Sequence, residues 1–507
     1  MKKLIVITAI LALFAPVYAD EAQNSAAVTF EAALTNLLDK NEAIKQAELG
    51  VAEAEALVEL TYGQFDLFLT GGINYLESKT EATSPFSPEK TDVFSYDVGL
   101  TNKLFTGGYL SLDFSYSKTG LTYAPFDPMS PFPIDPSLLT AYNPTFTPTL
   151  SLTYVQPLLK NFWGRPDETA IKIGEYSVKL AKEGLKSSIL EQVAKLKESY
   201  YLIYMLELML KVSKDFYYDA EKFYKQAVEL KKIGLKEQKD ILQTKASVLN
   251  SKAEIAPAEN NLKAAKEGFL SMAGYDPEKW DEIDVKVSGD IEDIYIPENL
   301  AADLEDTLID MQPGVVMSKH SIDMQKMYKQ VAENESLPEL NLVGSYGIEG
   351  TAGDVGGSYE KMFSNDYNNF MLGVQLSYAF PNRASSGSIK DKEADLEKLL
   401  EGYSSLKKGM KIMVRDAYRR LLTTKGDYEL KKEAKSLQKQ RLAIEEKNFK
   451  QGRITTQQLL MAQTDYNTSR MVEIGAFYEY MKAVNTWNKI TGKYDNYYNN
   501  YVNKGEK

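Results

Sequence analysis

The sequence predicts an α+β chain in which one architecture is written twice. Residues 166–232 and 384–450 each read as one unbroken helix of about 67 residues, near 100 Å long at 1.5 Å per residue. Each is preceded by strands with two-residue alternation and followed by a Gly-containing turn and a shorter helix. A helix that long cannot fold into a compact core. It must pack along other long helices, and the strands beside it must fit the same design.

The start of the chain reads as an export signal. Lys2 and Lys3 precede an apolar run from Leu4 to Phe14, and Val17-Tyr18-Ala19 offers a small-residue cleavage site before Asp20. The run is too short to remain as a membrane span, so residues 1–19 are expected to be removed. There is no Cys, hence no disulfide and no lipid-attachment Cys after the signal. A formal net charge of −12 and a pI near 5.0 argue against binding nucleic acid or anionic lipid through bulk charge. Mean hydropathy is −0.34, and no apolar run near 20 residues follows the signal. Only a β-barrel could then cross a membrane. The 33 Tyr and 20 Phe fit aromatic girdles, although helix seams must account for part of them.

Six segments alternate as strands with one apolar face. Phe94, Tyr96, Val98, Leu100 and Leu104 alternate with Ser95, Asp97, Gly99, Thr101 and Lys103. Leu110, Leu112, Phe114 and Tyr116 follow across the short turn Thr106-Gly107-Gly108. Leu150, Leu152 and Tyr154 form a third, and Phe370, Leu372, Val374, Leu376 and Tyr378 a fourth. Weaker strands run from Leu67 to Tyr75 and from Leu340 to Ile348. Most have about 10 residues, which crosses a bilayer when tilted, but a soluble sandwich would alternate in the same way. Residues 79–92, 120–146 and 349–368 read as long loops, the Thr106 turn as a tight one. Long loops outside and short turns inside place both helix-bearing ends in the periplasm.

The helices carry seams at 3,4 spacing. One contains Leu396, Leu399, Tyr403, Leu406, Met410, Met413 and Ala417; another contains Ile189, Val193, Leu196, Tyr200 and Ile203. A third runs through Leu459, Ala462, Tyr466, Ala476, Tyr480, Ala483, Trp487 and Ile490. Shorter helices are expected over Thr29–Leu60 and Lys236–Gly274, with a kink or break near Pro257. The expected organisation is a first repeat over 20–274 (strands about 66–157, long helix 166–232, tip, helix 236–274) and a linker over 275–300. A second repeat follows over 301–492 (helix, strands about 338–380, long helix 384–450, tip, helix 454–492), then a tail over 493–507.

With these elements in this order, the chain resembles the TolC-like outer-membrane factor family over nearly all of the sequence after the signal. Leu337-Pro338-Glu339-Leu340 enters a strand and Val155-Gln156-Pro157-Leu158 leaves one. Lys232-Ile233-Gly234-Leu235 and Lys450-Gln451-Gly452-Arg453-Ile454 look like the family's two periplasmic tips. The resemblance implies a homotrimer whose chains together form one outer-membrane β-barrel, continued by a long α-helical coiled-coil periplasmic tunnel. It implies no enzyme, active site, cofactor or metal. The expected role is the exit duct of a tripartite efflux pump or type I secretion system. The expected partners are a periplasmic adaptor, an inner-membrane pump and outer-membrane lipid, with no nucleic acid. Independently, six strands per chain are fewer than the smallest closed membrane barrel, so several chains must close it.

The sequence departs from the family's simplest form in its first repeat. Phe65 to Pro157 is about 49 residues longer than Pro338 to Pro381, and the Val93–Lys118 hairpin lies in that excess; a barrel of about 18 strands rather than 12 would follow. By resemblance, Gly234, Leu235, Gly452, Arg453 and Thr455 dock the adaptor, although both glycines also serve simply to end helices with positive φ. The family's acidic constriction ring falls here on Gln458 and Met461, neither charged. Asp240 matches the family's acidic latch, but its hydroxyl partner aligns with Phe449 and its basic neighbour with Ile454. Arg453 is therefore the expected partner of Asp240, with Leu460 and Met461 packing at the gate.

Catalytic readings find little support. His320 is the only His and sits in a helical stretch; Gly350–Gly357 reads as an extracellular loop with no helix opening after it; Lys431-Lys432-Glu433 and Glu445-Glu446-Lys447 read as solvated helix faces. A porin-like passive channel would leave the helices idle, and a periplasmic coiled-coil scaffold would leave the strands idle.

Overall fold

The computed structural model describes residues 28–81, 87–123, 142–288, 296–364 and 366–505. The expected signal over 1–19 lies outside them. The chain divides into two units, one built from residues up to Asn41, Val193–Asp293 and Thr423–Asn485, the other from Glu42–Gln192, Ile294–Leu422 and Thr486 onward.

In chain order, helices α1 (Phe30–Lys40) and α2 (Glu42–Tyr62) are followed by strands β1 (Leu67–Lys79), β2 (Pro88–Lys103), β3 (Tyr109–Tyr123) and β4 (Thr145–Pro157). Then come α3 (Arg165–Lys232), α4 (Gln238–Ala253), α5 (Ile255–Met272), α6 (Ala302–Asp310) and α7 (Pro313–Glu335). The chain continues with β5 (Glu339–Glu349), α8 (Val355–Ser364), β6 (Asn368–Ser377), α9 (Arg383–Lys450), α10 (Thr456–Ile490) and α11 (Asp495–Gly505). Both α3 and α9 have 68 residues.

Several boundaries differ from expectation, each for a local reason. The helix expected over Thr29–Leu60 is two helices, because Asn41 leaves the helical region at φ −65 and ψ 127. Its side-chain amide donates to the Met272 carbonyl at 3.3 Å, and that of Asn36 to Ala273 at 2.6 Å. Those bonds satisfy carbonyls at the end of α5, a tertiary gain that outweighs helix continuity. The helix over 236–274 breaks between Ala253 and Ile255, where Pro257 has no amide to give the Ala253 carbonyl. The helix opening the second repeat breaks at Met311 and Gln312, and Pro313 starts α7 in the first-turn position that costs no hydrogen bond. The connection over 349–368, read as a loop without a helix, contains α8, capped where Asp354 accepts from the Gly357 amide at 2.9 Å. The tail over 493–507 contains α11.

The six strands form one antiparallel meander in sequence order, and the extra hairpin β2–β3 is paired along its whole length between β1 and β4. Pairing register places Leu69, Leu100, Leu112, Leu152, Tyr346 and Phe370 in one row across all six strands, on one face. Ile73, Val98, Phe114, Leu150 and Leu372 share that face. The opposite face carries Thr70, Asp97, Asp113, Ser115, Ser151 and Ser345. The apolar side has little covering it: Ile73 is 77% exposed and Phe370 72%. At the helix-bearing end of the sheet the rings of Phe65 and Phe105 stack at 4.4 Å, and Trp163 and Phe380 are exposed. There the turn at Gly107 is held against the β4–α3 link; a Cβ on Gly164, whose φ is +67, would lie 2.1 Å from the Phe105 carbonyl oxygen. Lys103 bonds Asp167 at 2.6 Å beside it.

The helix seams are buried unevenly. Ile189, Val193, Leu196 and Ile203 are fully enclosed, and Tyr480, Ala483, Trp487 and Ile490 are buried. The seam from Leu396 to Met413 is half-buried or exposed, and Val414, Ala417 and Leu421 form the enclosed part of α9 there. His320 lies half-buried with its ring edge-on to Tyr176 at 5.5 Å.

Candidate gate and docking tips

The two tips are the same structure twice. At the first, the Gly234 amide bonds the Lys231 carbonyl and the Leu235 amide reaches back to Leu230, both at 2.9 Å. At the second, Gly452 bonds Phe449 at 2.9 Å and Arg453 bonds Asn448 at 3.0 Å. Both are six-to-one helix ends, and both glycines take the left-handed φ such an end requires, +77 and +70. Each following helix opens with a reciprocal cap. The Asp240 carboxylate accepts from the Glu237 amide at 2.9 Å, and the Gln458 side chain accepts from the Thr455 amide at 2.9 Å. Asp240 and Gln458 therefore occupy equivalent positions in the two repeats.

The tips touch. A Cβ on Gly452 would lie 3.6 Å from a methyl of Leu235. Lys236 donates to the Ile454 carbonyl at 2.9 Å while its ammonium sits 4.6 Å from the centre of the Phe449 ring. Sequence reasoning missed Lys236, because a lysine in an exposed turn carries no pattern that marks it as a staple. Phe449 in turn belongs to a buried cluster with Phe223, Leu442, Leu459 and Ala462, which fixes the tips to the helix ends.

The residues expected at the gate are brought together only in part. Among the described residues no ion pair joins Asp240 to Arg453, and the charged partners of Asp240 are Lys236 and Lys239. Burial pushes the Asp240 carboxyl up, but the Glu237 amide, the Thr456 hydroxyl and those two lysines together hold it below the usual aspartate range. The Thr456 hydroxyl on the second tip lies near Asp240 but is buried without a hydrogen-bond partner among the described residues. Leu459 is buried in the cluster, Leu460 is half-buried, and Met461 is 55% exposed. One turn further along α10, both polar atoms of Gln463 and the Asn467 carbonyl oxygen are buried with no hydrogen-bond partner among the described residues. A buried polar group left without a partner costs about 1–3 kcal/mol.

A six-stranded meander with an apolar face, together with two long helices that end in equivalent, mutually stapled turns, is the element set of the TolC-like fold. Residues 306–493 match the family model for outer membrane efflux protein. No curated protein sequence matches the chain. Among solved structures, CusC superposes with TM-score 0.68 at 12% identity, covering 93% of this chain and 95% of that one. The CmeC outer membrane channel of Campylobacter jejuni gives 0.65 at 14% identity over 97% and 94%. The open state of the MtrE outer membrane channel of Neisseria gonorrhoeae gives 0.65 at 12% over 91% and 88%. The chain has the TolC-like fold, and its residues 306–493 are similar to the outer membrane efflux protein family.

Proposed function

We propose that three copies of this chain close their sheets into one outer-membrane barrel and serve as the exit duct of a tripartite efflux pump or type I secretion system. The duct carries substrates from an inner-membrane pump across the periplasm and outer membrane. The observation that carries this reading is the sheet itself: a linear six-stranded meander with edges at β1 and β6 that no strand pairs among the described residues, and one face whose central rows are apolar. Lipid tolerates neither an unpaired strand edge nor a polar face, so edges must pair with other copies and the polar face must enclose the lumen. Three sheets of six strands make a barrel of about 18, wider than the 12 of the family's simplest form.

The helices support the same assembly. Leu430, Leu437 and Ile444 are exposed on α9 at strict seven-residue spacing, and so are Leu235, Leu242 and Leu249 from the first tip into α4. These are coiled-coil seams without a partner inside the chain. The turns around Gly234, Leu235, Gly452, Arg453 and Thr455 present the docking end for a periplasmic adaptor, beside a groove of about 710 Å³ lined by residues including Tyr224, Val228, Leu230 and Lys450. Detergent-extracted protein should migrate as a trimer until heated, and a deletion strain should lose export with passive permeability unchanged. A monomer in detergent, or lost passive uptake with normal export, overturns the reading. Arg453→Glu should keep the trimer and weaken adaptor capture; normal capture and export remove Arg453 from the docking surface.

A further inference from the structure

The connection between β5 and β6 leaves the end of the sheet opposite the long helices and returns as α8. It folds back onto one particular face. Leu342, Gly344, Tyr346 and Ile348 alternate along β5 on the apolar side, and Gly350 continues that series. A Cβ on Gly350 would stand 2.0 Å from the Ser358 carbonyl oxygen and 2.4 Å from the Met362 amide nitrogen, so the backbone of α8 lies directly on the apolar face. Independently, the Tyr359 ring stacks on Tyr116 at 6.3 Å and 13°, and its hydroxyl lies 3.3 Å from that of Tyr96. Both partners belong to the apolar face. Contact with α8 leaves Tyr116 only 8% exposed.

We propose that α8 is a bilayer-contacting element on the outside of the barrel, docked against the acyl chains of outer-leaflet lipid, and not a lid over the pore. The inference rests on the barrel reading. Its occupant follows from continuity: the sheet face on which α8 lies is the surface that meets lipid, so the far side of α8 extends that surface. Ser358 and Met362 point inward and are buried, while Val355, Phe363 and the following Tyr367 are exposed. Lys361 donates to the Thr351 carbonyl and lies 5.1 Å from the centre of the Tyr142 ring, and Lys118 lies 5.7 Å from that of Phe146. Lysines paired with aromatic rings at the rim of an apolar band suit the depth where acyl chains give way to headgroups. Asp97 and Asp113 lie on the other face of the sheet, so α8 leaves the lumen side of these strands uncovered.

The absence of Cys makes a site-directed test clean. Single cysteines at Phe363, Leu112 and Ser115 carry a spin label in trimer reconstituted into phosphatidylethanolamine–phosphatidylglycerol vesicles, and collision with oxygen is compared with collision with a water-soluble nickel chelate. Labels at Phe363→Cys and Leu112→Cys should favour oxygen, and the label at Ser115→Cys should favour the chelate. Chelate preference at 363 with oxygen preference at 112 overturns the proposal and leaves the barrel intact. Chelate preference at both overturns the barrel reading as well. Gly350→Ala should unseat α8 and change the ratio at 363 but not at 112; an unchanged ratio at 363 removes Gly350 as its seat.

Discussion

Two carboxylates outside the sheet, one buried and one half-buried, respond to pH in opposite senses. Glu305, 2% exposed, accepts from Arg415 Nε at 2.6 Å and Nη2 at 3.0 Å, with Lys411 at 3.4 Å. The Arg415 guanidinium, outweighing burial, holds its carboxyl below the glutamate value of 4.5. Because the folded value is the lower one, this stabilisation is complete above the ordinary glutamate range and is lost as pH falls through the folded value. Glu305→Gln should cost about 1–2 kcal/mol at neutral pH, a modest figure because the guanidinium is largely solvated, and less in acid. Burial pushes Asp219 the other way, with Glu446 and Asp215 adding to the rise and Lys222 and Arg470 opposing it. Its penalty is present above the raised value and disappears as pH falls through it, so Asp219→Asn should raise Tm at neutral pH. Thermal unfolding of the trimer from about pH 7 to pH 4 checks both, and parallel curves for variant and parent remove either group from the pH response.

At the tip, Asp240 accepts from the Glu237 amide and so caps its own helix. Asp240→Ala should remove about 1 kcal/mol of capping in each copy and raise the open fraction of single channels in planar bilayers. An unchanged open fraction takes Asp240 out of the gate.

Among the elements, the extra hairpin bears most on the membrane. Strands β2 and β3 have 16 and 15 residues, against 11 and 10 for β5 and β6. Leu112 sits in the row shared by Leu100 and Leu152, near the middle of the apolar face. An Arg there should cost roughly 2–4 kcal/mol and lower trimer yield. Wild-type yield for Leu112→Arg would put this row outside the bilayer. The hairpin's pattern was legible because its alternation is strict; α8 was not, because Gly350, Gly356 and Gly357 read as loop, and its helical turn is stabilised by packing on Tyr116 and Gly350. The break at Asn41 was hidden for a similar reason, since the carbonyl its side chain serves lies more than 200 positions away in sequence.

For the whole molecule, the unpartnered heptads make assembly testable away from the membrane. Leu437→Glu places a charge in the middle of the α9 stripe without touching the sheet. The trimer should dissociate at lower temperature on gels, with the monomer's helical circular dichroism retained. Equal stability of variant and parent trimers would mean that the Leu430, Leu437 and Ile444 stripe is not an interface between copies.

By itself the sequence determined the repeated order of elements, the faces of the strands and the glycines that end the long helices, because hydrophobic period and positive φ are local constraints that each residue expresses alone. The tertiary structure decided that both extra strands join the sheet, that Thr456 rather than Arg453 stands beside Asp240, that Lys236 staples the two tips and that α8 lies on the apolar face. Each of these depends on distance between residues far apart in the chain. A side chain's type states what it can bond, and only the fold states what comes within reach.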